Sequence, residues 1–254
     1  MKPTVDQLRE LYYKADQLSG WDFSDLSYVV EGKLWDFSTE FNKRVRSSDV
    51  VLDIGTGGGE RAIEIAPAVL LLVGIDRAAE MVETARENLS SSRRRNVRFF
   101  KMRAEDLQFP RGFFDLVSSR HCTFDGTEVA RVLAKGGLFF TQQVGVGDKD
   151  NVKTVFGRGQ LFDREEGGLR KDCLKDLRDA GFKELKWREY DAKEYYESVE
   201  DIVFLLKHTP IIQDPPFGEK KGDFHKLSRF IQIYDTKKGI VTNSKRFIVS
   251  GRKE

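Results

Sequence analysis

The stretch VLDIGTGGGE, residues 51–60, sets Asp53, Gly55, Gly57 and Gly59 at alternate positions. An apolar, β-branched run that ends in an acid and passes into spaced glycines reads as a buried strand and a tight turn opening a helix. Backbone N–H groups at such a turn approach a ligand closely. Two cofactor classes use this turn. The dinucleotide fingerprint G-x-G-x-x-G, started at Gly55, requires glycine where Glu60 stands; started at Gly57, it ends on Ala62, which that fingerprint tolerates. Asp53 just ahead of the loop is out of place beside a pyrophosphate, and its carboxylate suits a cationic ligand instead.

Composition narrows the rest. The chain has 254 residues with 43 Lys+Arg against 41 Asp+Glu, a net charge of +2, and 39% hydrophobic residues. That length supports a sizeable core, and that balance excludes a disordered chain or a surface that is basic throughout. Cys122 and Cys173 are too few for a disulfide framework or a four-cysteine zinc site, so the chain reads as cytoplasmic with free thiols. No apolar run approaches the ~20 residues of a membrane span.

The elements that must position the glycine turn alternate along the chain. Residues 4–18 have helical apolar spacing, a polar-aromatic link follows, and a second helix is expected from about Leu34 to Arg46. From Val50 onward the chain offers the strands VVLDI, LLLVGID, NVRFFKM, FFDLVSS, LFFTQQV, FKELKWREY and KRFIVSGRK. Helical patterns stand between the first five: RAIEIAPAV, AAEMVETARENLSS and TEVARVLAKGG. After Val144 a Gly-rich loop is expected, then helices at about 168–180, 198–208 and 223–236. Strands alternating with helices predict an α/β fold, a doubly wound, seven-stranded and mostly parallel sheet. The expected organisation is an N-terminal helical cap over 1–48 and a cofactor-binding domain over 49–254, with a helical insertion at about 192–244.

D-x-G-x-G-x-G resembles motif I of the class I S-adenosylmethionine-dependent methyltransferases. VGIDRAAEMVETAREN resembles that family's second strand and helix, AEDLQFPRGFFDLV the stretch joining its third and fourth strands, and VARVLAKGGLFFTQQVG its fifth-strand unit; together they cover about residues 50–145. GWDFS and KHTP also resemble segments of uncharacterised members. The resemblance implies a Rossmann-like fold and S-adenosyl-L-methionine as cofactor. It implies cofactor contacts at Asp53, Gly55, Thr56, Gly57, Gly59, Asp76, Arg77, Met81, Ala104, Glu105, Asp106 and Arg120. Asp53 would hold the ammonium, Asp76 the ribose hydroxyls, and Met81 the adenine face. Where relatives often carry an acid before Ala104, this chain has Arg103, which offers no acceptor to an adenine amino group; Asp106, or the backbone of Ala104 and Glu105, is left to do so.

Methyl transfer from a sulfonium needs alignment more than acid–base chemistry. His121, in SSRHCTF after the fourth strand, is the candidate base at the carboxyl edge of the sheet. Arg120 beside it can hold the cofactor carboxylate or an anionic substrate. Gln142 and Gln143 at the end of the fifth strand are candidates for orienting the acceptor, though alternation makes one of them point away. Trp21, in the aromatic-rich N-terminal stretch, is a candidate pocket wall. No metal is expected.

Two further motifs have simpler readings. Asp214-Pro215-Pro216-Phe217 resembles the catalytic motif of DNA and RNA amino-methyltransferases but lies nearly a hundred residues beyond the fourth strand, and reads as a turn. Residues 93–103 hold six Arg and Lys; they read as a charged edge strand that resists aggregation rather than an RNA footprint. The expected activity is methyl transfer to a small-molecule acceptor. Methylation of RNA bases or protein side chains, an NAD-dependent oxidoreductase and a non-catalytic cofactor-binding protein are the competing readings.

Overall fold

The computed structural model describes residues 3–15 and 26–254. In chain order the elements are α1 (Val5–Lys14), β1 (Tyr28–Glu31), α2 (Phe37–Asn42), β2 (Val50–Ile54), α3 (Glu60–Ile65), β3 (Leu71–Asp76) and α4 (Ala79–Ser91). Next come β4 (Val97–Lys101), β5 (Phe114–Arg120), α5 (Gly126–Val132), β6 (Leu133–Val144), α6 (Asp150–Phe156) and α7 (Gly168–Asp179). The last are β7 (Phe182–Tyr196), α8 (Val199–His208), α9 (Asp223–Tyr234), β8 (Asp235–Thr236) and β9 (Gly239–Lys253). They divide into two compact units, residues 34–144 with 169–189 and 246–254, and residues 1–33 with 145–168 and 190–245.

The first unit holds the parallel strands. From the edge inward they run β4-β3-β2-β5-β6, followed by β9 and β7. β2 pairs in parallel with both β3 and β5, β3 with β4, and β5 with β6, while β9 is antiparallel to β6. The carboxyl ends of β2, β3, β5 and β6 therefore share one edge, and the strand order reverses at β2, where ligands of such sheets bind. Leu52, Ile54, Val73, Ile75, Val117, Phe139 and Val249 come from adjacent strands. They bury against Val129, Val132, Leu174 and Leu177 of α5 and α7. Strands covered on both faces read as unbroken apolar runs, as VVLDI does.

The second unit packs α1, α6, α8 and α9 around Leu8, Val152, Phe156, Ile202, Leu206, Leu227 and Phe230. β1 pairs antiparallel with Lys193–Tyr196 of β7. Phe217 of the Asp-Pro-Pro-Phe segment is buried among Tyr12, Phe156 and Phe224, with ring centroids 5.5–5.9 Å away. That segment is a turn that delivers a core aromatic. KHTP closes α8, where Lys207 donates to the Tyr12 carbonyl at 2.5 Å and His208 Nε2 lies 3.2 Å from the Ala15 carbonyl.

All seven expected strands are present, and the last three are longer than their apolar cores. Three expectations change. The polar-aromatic link contains β1, whose YVVE run is mostly exposed and therefore lacks the alternating burial that marks a strand. The loop after Val144 contains α6, which follows a lysine in the left-handed region rather than a side-chain cap. The helix expected over TEVARVLAKGG stops at Val132, and LAKGG continues as β6. β4 does lie at the sheet edge, with Val97 and Phe99 buried and Arg98 facing out.

Candidate functional site

The glycine turn joins β2 to α3 at the reversal point. Gly55 and Thr56 donate their N–H groups to the Ile75 carbonyl, each at 2.9 Å, fastening the loop to β3. Gly57 has φ +58° and no atom stands within 4 Å of where its Cβ would be, so this face of the loop is open. Gly59, the N-cap of α3 at φ +78°, is closed instead: a Cβ there would lie 2.5 Å from Phe99 Cζ and 3.0 Å from Ala85 Cβ. Both positions lie in the left-handed region that glycine enters without cost.

Asp76 ends β3 beside this turn. Its Oδ2 accepts the Gly57 N–H at 3.1 Å and its Oδ1 the Ala78 N–H at 3.0 Å. Each oxygen keeps a lone pair for another donor. Arg77 is exposed and Met81, on the first turns of α4, is half-buried. Ala104, Glu105 and Asp106 form a turn after β4, with the Asp106 N–H donated to the Arg103 carbonyl at 3.3 Å. Arg103 pairs with Glu105 at 3.4 Å, and both side chains are largely solvated.

Asp53 is engaged within the protein. Nη2 of Arg61 bridges its two oxygens at 2.7 and 2.9 Å, and the Ser118 hydroxyl donates to Oδ1 at 2.6 Å. Ser118 stands directly opposite Asp53 across the β2–β5 pairing. The Arg61 guanidinium lies 4.7 Å from the centroid of Phe37 on α2, and its Nη1 is buried with no acceptor among the described residues. Asp53 thus retains one lone pair, on Oδ2, for any further donor.

His121 follows β5 at φ +54°, a region sparsely used by residues other than glycine. Its N–H is donated to the Gln142 carbonyl at 2.9 Å. The side chains meet as well. Trp35 Nε1 donates to Gln142 Oε1 at 3.0 Å, and Gln142 Nε2 lies 3.0 Å from His121 Nε2. An indole nitrogen can only donate, which fixes the amide with its oxygen toward Trp35 and its NH2 toward the imidazole. His121 Nε2 must then accept, and a neutral ring carries its proton on Nδ1. Electrostatics favour the same state: His121 is solvent-exposed at its surface, but the protein packed around its ring, followed by the charges of Arg246, Arg120 and Arg61, lowers it from the ordinary histidine value.

Gln142 and Gln143 take different faces, as strand alternation requires. Gln142 is buried, while Gln143 donates from Nε2 to the Cys122 carbonyl at 2.9 Å and to the Thr141 hydroxyl at 2.8 Å. Burial, with Asp76 and Asp53 nearby, pushes the Cys122 thiol up to about 11, so it is protonated at neutral pH. Trp21 lies outside the described residues. No group of three or more metal-ligating side chains occurs among the described residues, and no described helix is long and apolar enough to cross a membrane.

Residues 51–137 match the protein family described as Methyltransferase domain. These residues are a class I S-adenosylmethionine-dependent methyltransferase domain. The methyltransferase domain is similar to the uncharacterized methyltransferase YcgJ of Bacillus subtilis, 38% identical over 101 residues, which are 37% of this chain and 40% of that protein. It is similar to the 23S rRNA (uracil(1939)-C(5))-methyltransferase RlmD of Pasteurella multocida, 35% identical over 80 residues, 32% of this chain and 18% of that protein. The matches therefore span well under two thirds of either curated relative. In fold, the crystal structure of YcgJ has a TM-score of 0.62 at 22% identity, covering 85% of this chain and 97% of that one. The [4+2]-cyclase SpnF has a TM-score of 0.56 at 18% identity over 99% of this chain and 97% of its own. Membership of the family implies binding of S-adenosylmethionine by the methyltransferase domain.

Sequence reasoning did not single out Arg61, Ser118 or Arg246. One signal was available for Arg61: a cation in the first turn of a helix opposes the helix dipole and calls for a nearby acid. Ser118 and the role of Trp35 gain meaning only from strand register and tertiary packing.

Proposed function

We propose that the chain transfers a methyl group from S-adenosylmethionine to a small-molecule acceptor. The observation that carries this reading is the pairing of the open Gly57 face with Asp76, whose two oxygens are oriented by backbone N–H groups and keep lone pairs for a diol. When bound, the cofactor supplies a methyl group already activated on a sulfonium. Asp76 would hold the ribose hydroxyls, the Gly55–Gly59 backbone would carry the methionyl and ribose parts, and Met81 with Ala104–Asp106 would flank the adenine. Asp53 would act mainly through Arg61, which it orients.

His121, with Nε2 occupied by Gln142, would present Nδ1–H and orient the acceptor as a donor; acting as a base would require breaking the Gln142 bond. Gln142 therefore serves the acceptor indirectly, by setting the imidazole tautomer. The unit built from 1–33, 145–168 and 190–245 lies outside the family match.

Incubation with methyl-labelled S-adenosylmethionine and a cell extract divided into low-molecular-weight, RNA and protein fractions tests the reading. Label is expected in the low-molecular-weight fraction; label confined to RNA or protein overturns it. The basic stretch gives RNA a specific check. Arg98 turns back onto the Arg95 and Val97 carbonyls at 2.9 and 2.7 Å, as a solvated edge does, so log affinity for RNA against log salt is expected to have no steep slope.

A further inference from the structure

β7 changes step near its start. Phe182 and Leu185 both pack into the core with Leu174 and Leu177 of α7, although strand alternation puts residues three apart on opposite faces. Glu184, at φ +49°, absorbs the extra residue. A residue other than glycine is costly in that left-handed region, and a bulge of this kind re-aims the side chains around it. Here it turns Glu184, Lys186 and Arg188 toward the face on which α2 lies, where Arg188 meets Glu40.

An open groove of about 180 Å³ lies on that face. Its floor is Leu138 of β6 with Ser250 and Gly251 of β9, and its walls are Arg44 just past α2, Glu184 and Lys186 of β7, and Arg252. All of these belong to the unit that holds the parallel strands. Leu138 pairs with Leu116, four residues back along β5 from Arg120. At strand spacing that sets the groove roughly 13 Å from the carboxyl edge and its glycine turn.

Its cations are incompletely neutralised. Arg44 donates from Nη1 to Glu40 Oε2 at 3.1 Å, but Lys43 and Arg188 draw on the same carboxylate. Arg252 donates to the Gly136 carbonyl at 2.9 Å, which satisfies one N–H and leaves the charge. Lys186 is exposed and pairs with no acid among the described residues. Glu184 is the acid of the lining, against Arg44, Lys186 and Arg252. Two guanidinium forks and an ammonium beside a serine hydroxyl match the oxygens of a phosphate. At roughly 30 Å³ for each water-sized group, the groove has room for a phosphate and a few further atoms. Glu184 can accept from a hydroxyl on those atoms and repels a second phosphate.

We propose that this groove binds a small phosphate monoester, at a site separate from that of the cofactor. The inference goes beyond the methyltransferase reading and does not depend on it.

The test titrates glycerol 3-phosphate, and inorganic phosphate for comparison, calorimetrically into the full chain at constant ionic strength. Saturable binding of the ester is expected, tighter than that of inorganic phosphate and about fivefold weaker in Lys186→Gln and in Arg252→Gln. Arg98→Gln, in the basic stretch of β4, should bind the ester as the wild type does. Glu184→Gln should bind inorganic phosphate about twofold more tightly, because a like charge leaves the groove. Heat that does not saturate, equal affinity in the Lys186 and Arg252 variants, or a loss in Arg98→Gln overturns the site. Inorganic phosphate binding at least as tightly as the ester overturns the monoester assignment. A single-stranded RNA oligomer that displaces the ester at lower concentration would make the groove a nucleic-acid surface, and overturns the proposal as well. Lys186 and Arg252 are both exposed, and either variant decides the matter should the other not fold.

Discussion

Two side chains at the sheet edge, Asp76 and His121, make the sharpest claims. Asp76 fastens the glycine turn through two backbone N–H groups and has lone pairs left for a ligand. Asp76→Asn is therefore expected to fold, with a stability loss of about 1 kcal/mol for the weakened charge-assisted bonds, and to bind S-adenosylhomocysteine at least tenfold more weakly by calorimetry. Unchanged affinity would remove Asp76 from the site. For His121 desolvation of the ring by the protein packed around it, then the charges of Arg246, Arg120 and Arg61, favour the neutral ring. Because the folded chain resists protonation there, the unfolded chain binds more protons below its value of 6.5. Stability from this residue is full above that pH and declines as pH falls below it. Urea titrations from pH 7.5 to 5 should show a shallower loss for His121→Asn than for the wild type; parallel curves would contradict the charge assignment. Asp53, Asp76 and the glycines were legible because their spacing follows the chain. Arg61, Ser118 and the role of Trp35 were not, because they depend on register between β2 and β5 and on an indole meeting an amide more than a hundred residues away.

At the scale of elements, the glycine turn works only if its two ends differ. Gly59→Ala must push against Phe99 and Ala85 as well as hold φ +78°, and is expected to cost about 2 kcal/mol in a chemical unfolding titration. Gly57→Ala has room and meets only the backbone strain, about 1 kcal/mol. Its larger effect should be on cofactor affinity, because the methyl group enters the open face. Equal stability losses for the two would contradict this division. α2, which carries Phe37 beneath Arg61, is held by Glu40. Bonds from Lys43 and Arg44 and the charge of Arg188 lower the Glu40 carboxyl to about 2. Its contribution is present above the ordinary glutamate value of 4.5 and lost as pH falls through about 2. Glu40→Gln should destabilise the chain at pH 7 and converge with the wild type only as pH falls below about 2. Buried strands were readable as apolar runs, whereas β1 and α6 were not: the first is solvated on both faces and the second lacks a side-chain cap, so neither leaves the pattern that sequence reading depends on.

At the scale of the molecule, the described residues proposed to hold the cofactor and the three arginines belong to the unit that contains residues 34–144, 169–189 and 246–254. The Methyltransferase domain match lies in that unit too. Hydrogen exchange with S-adenosylhomocysteine is expected to slow first in β2, the glycine turn and the start of α4; slowing confined to α8 and α9 would contradict that placement. Fold likeness extends to a [4+2]-cyclase as well as to methyltransferases, so the sheet alone does not name a reaction. The most direct test of the central claim is a calorimetric comparison of S-adenosylhomocysteine and NAD on the wild-type chain. One site for S-adenosylhomocysteine, weakened by Asp76→Asn, with no heat from NAD, is the predicted result. Binding of NAD without binding of S-adenosylhomocysteine would contradict it.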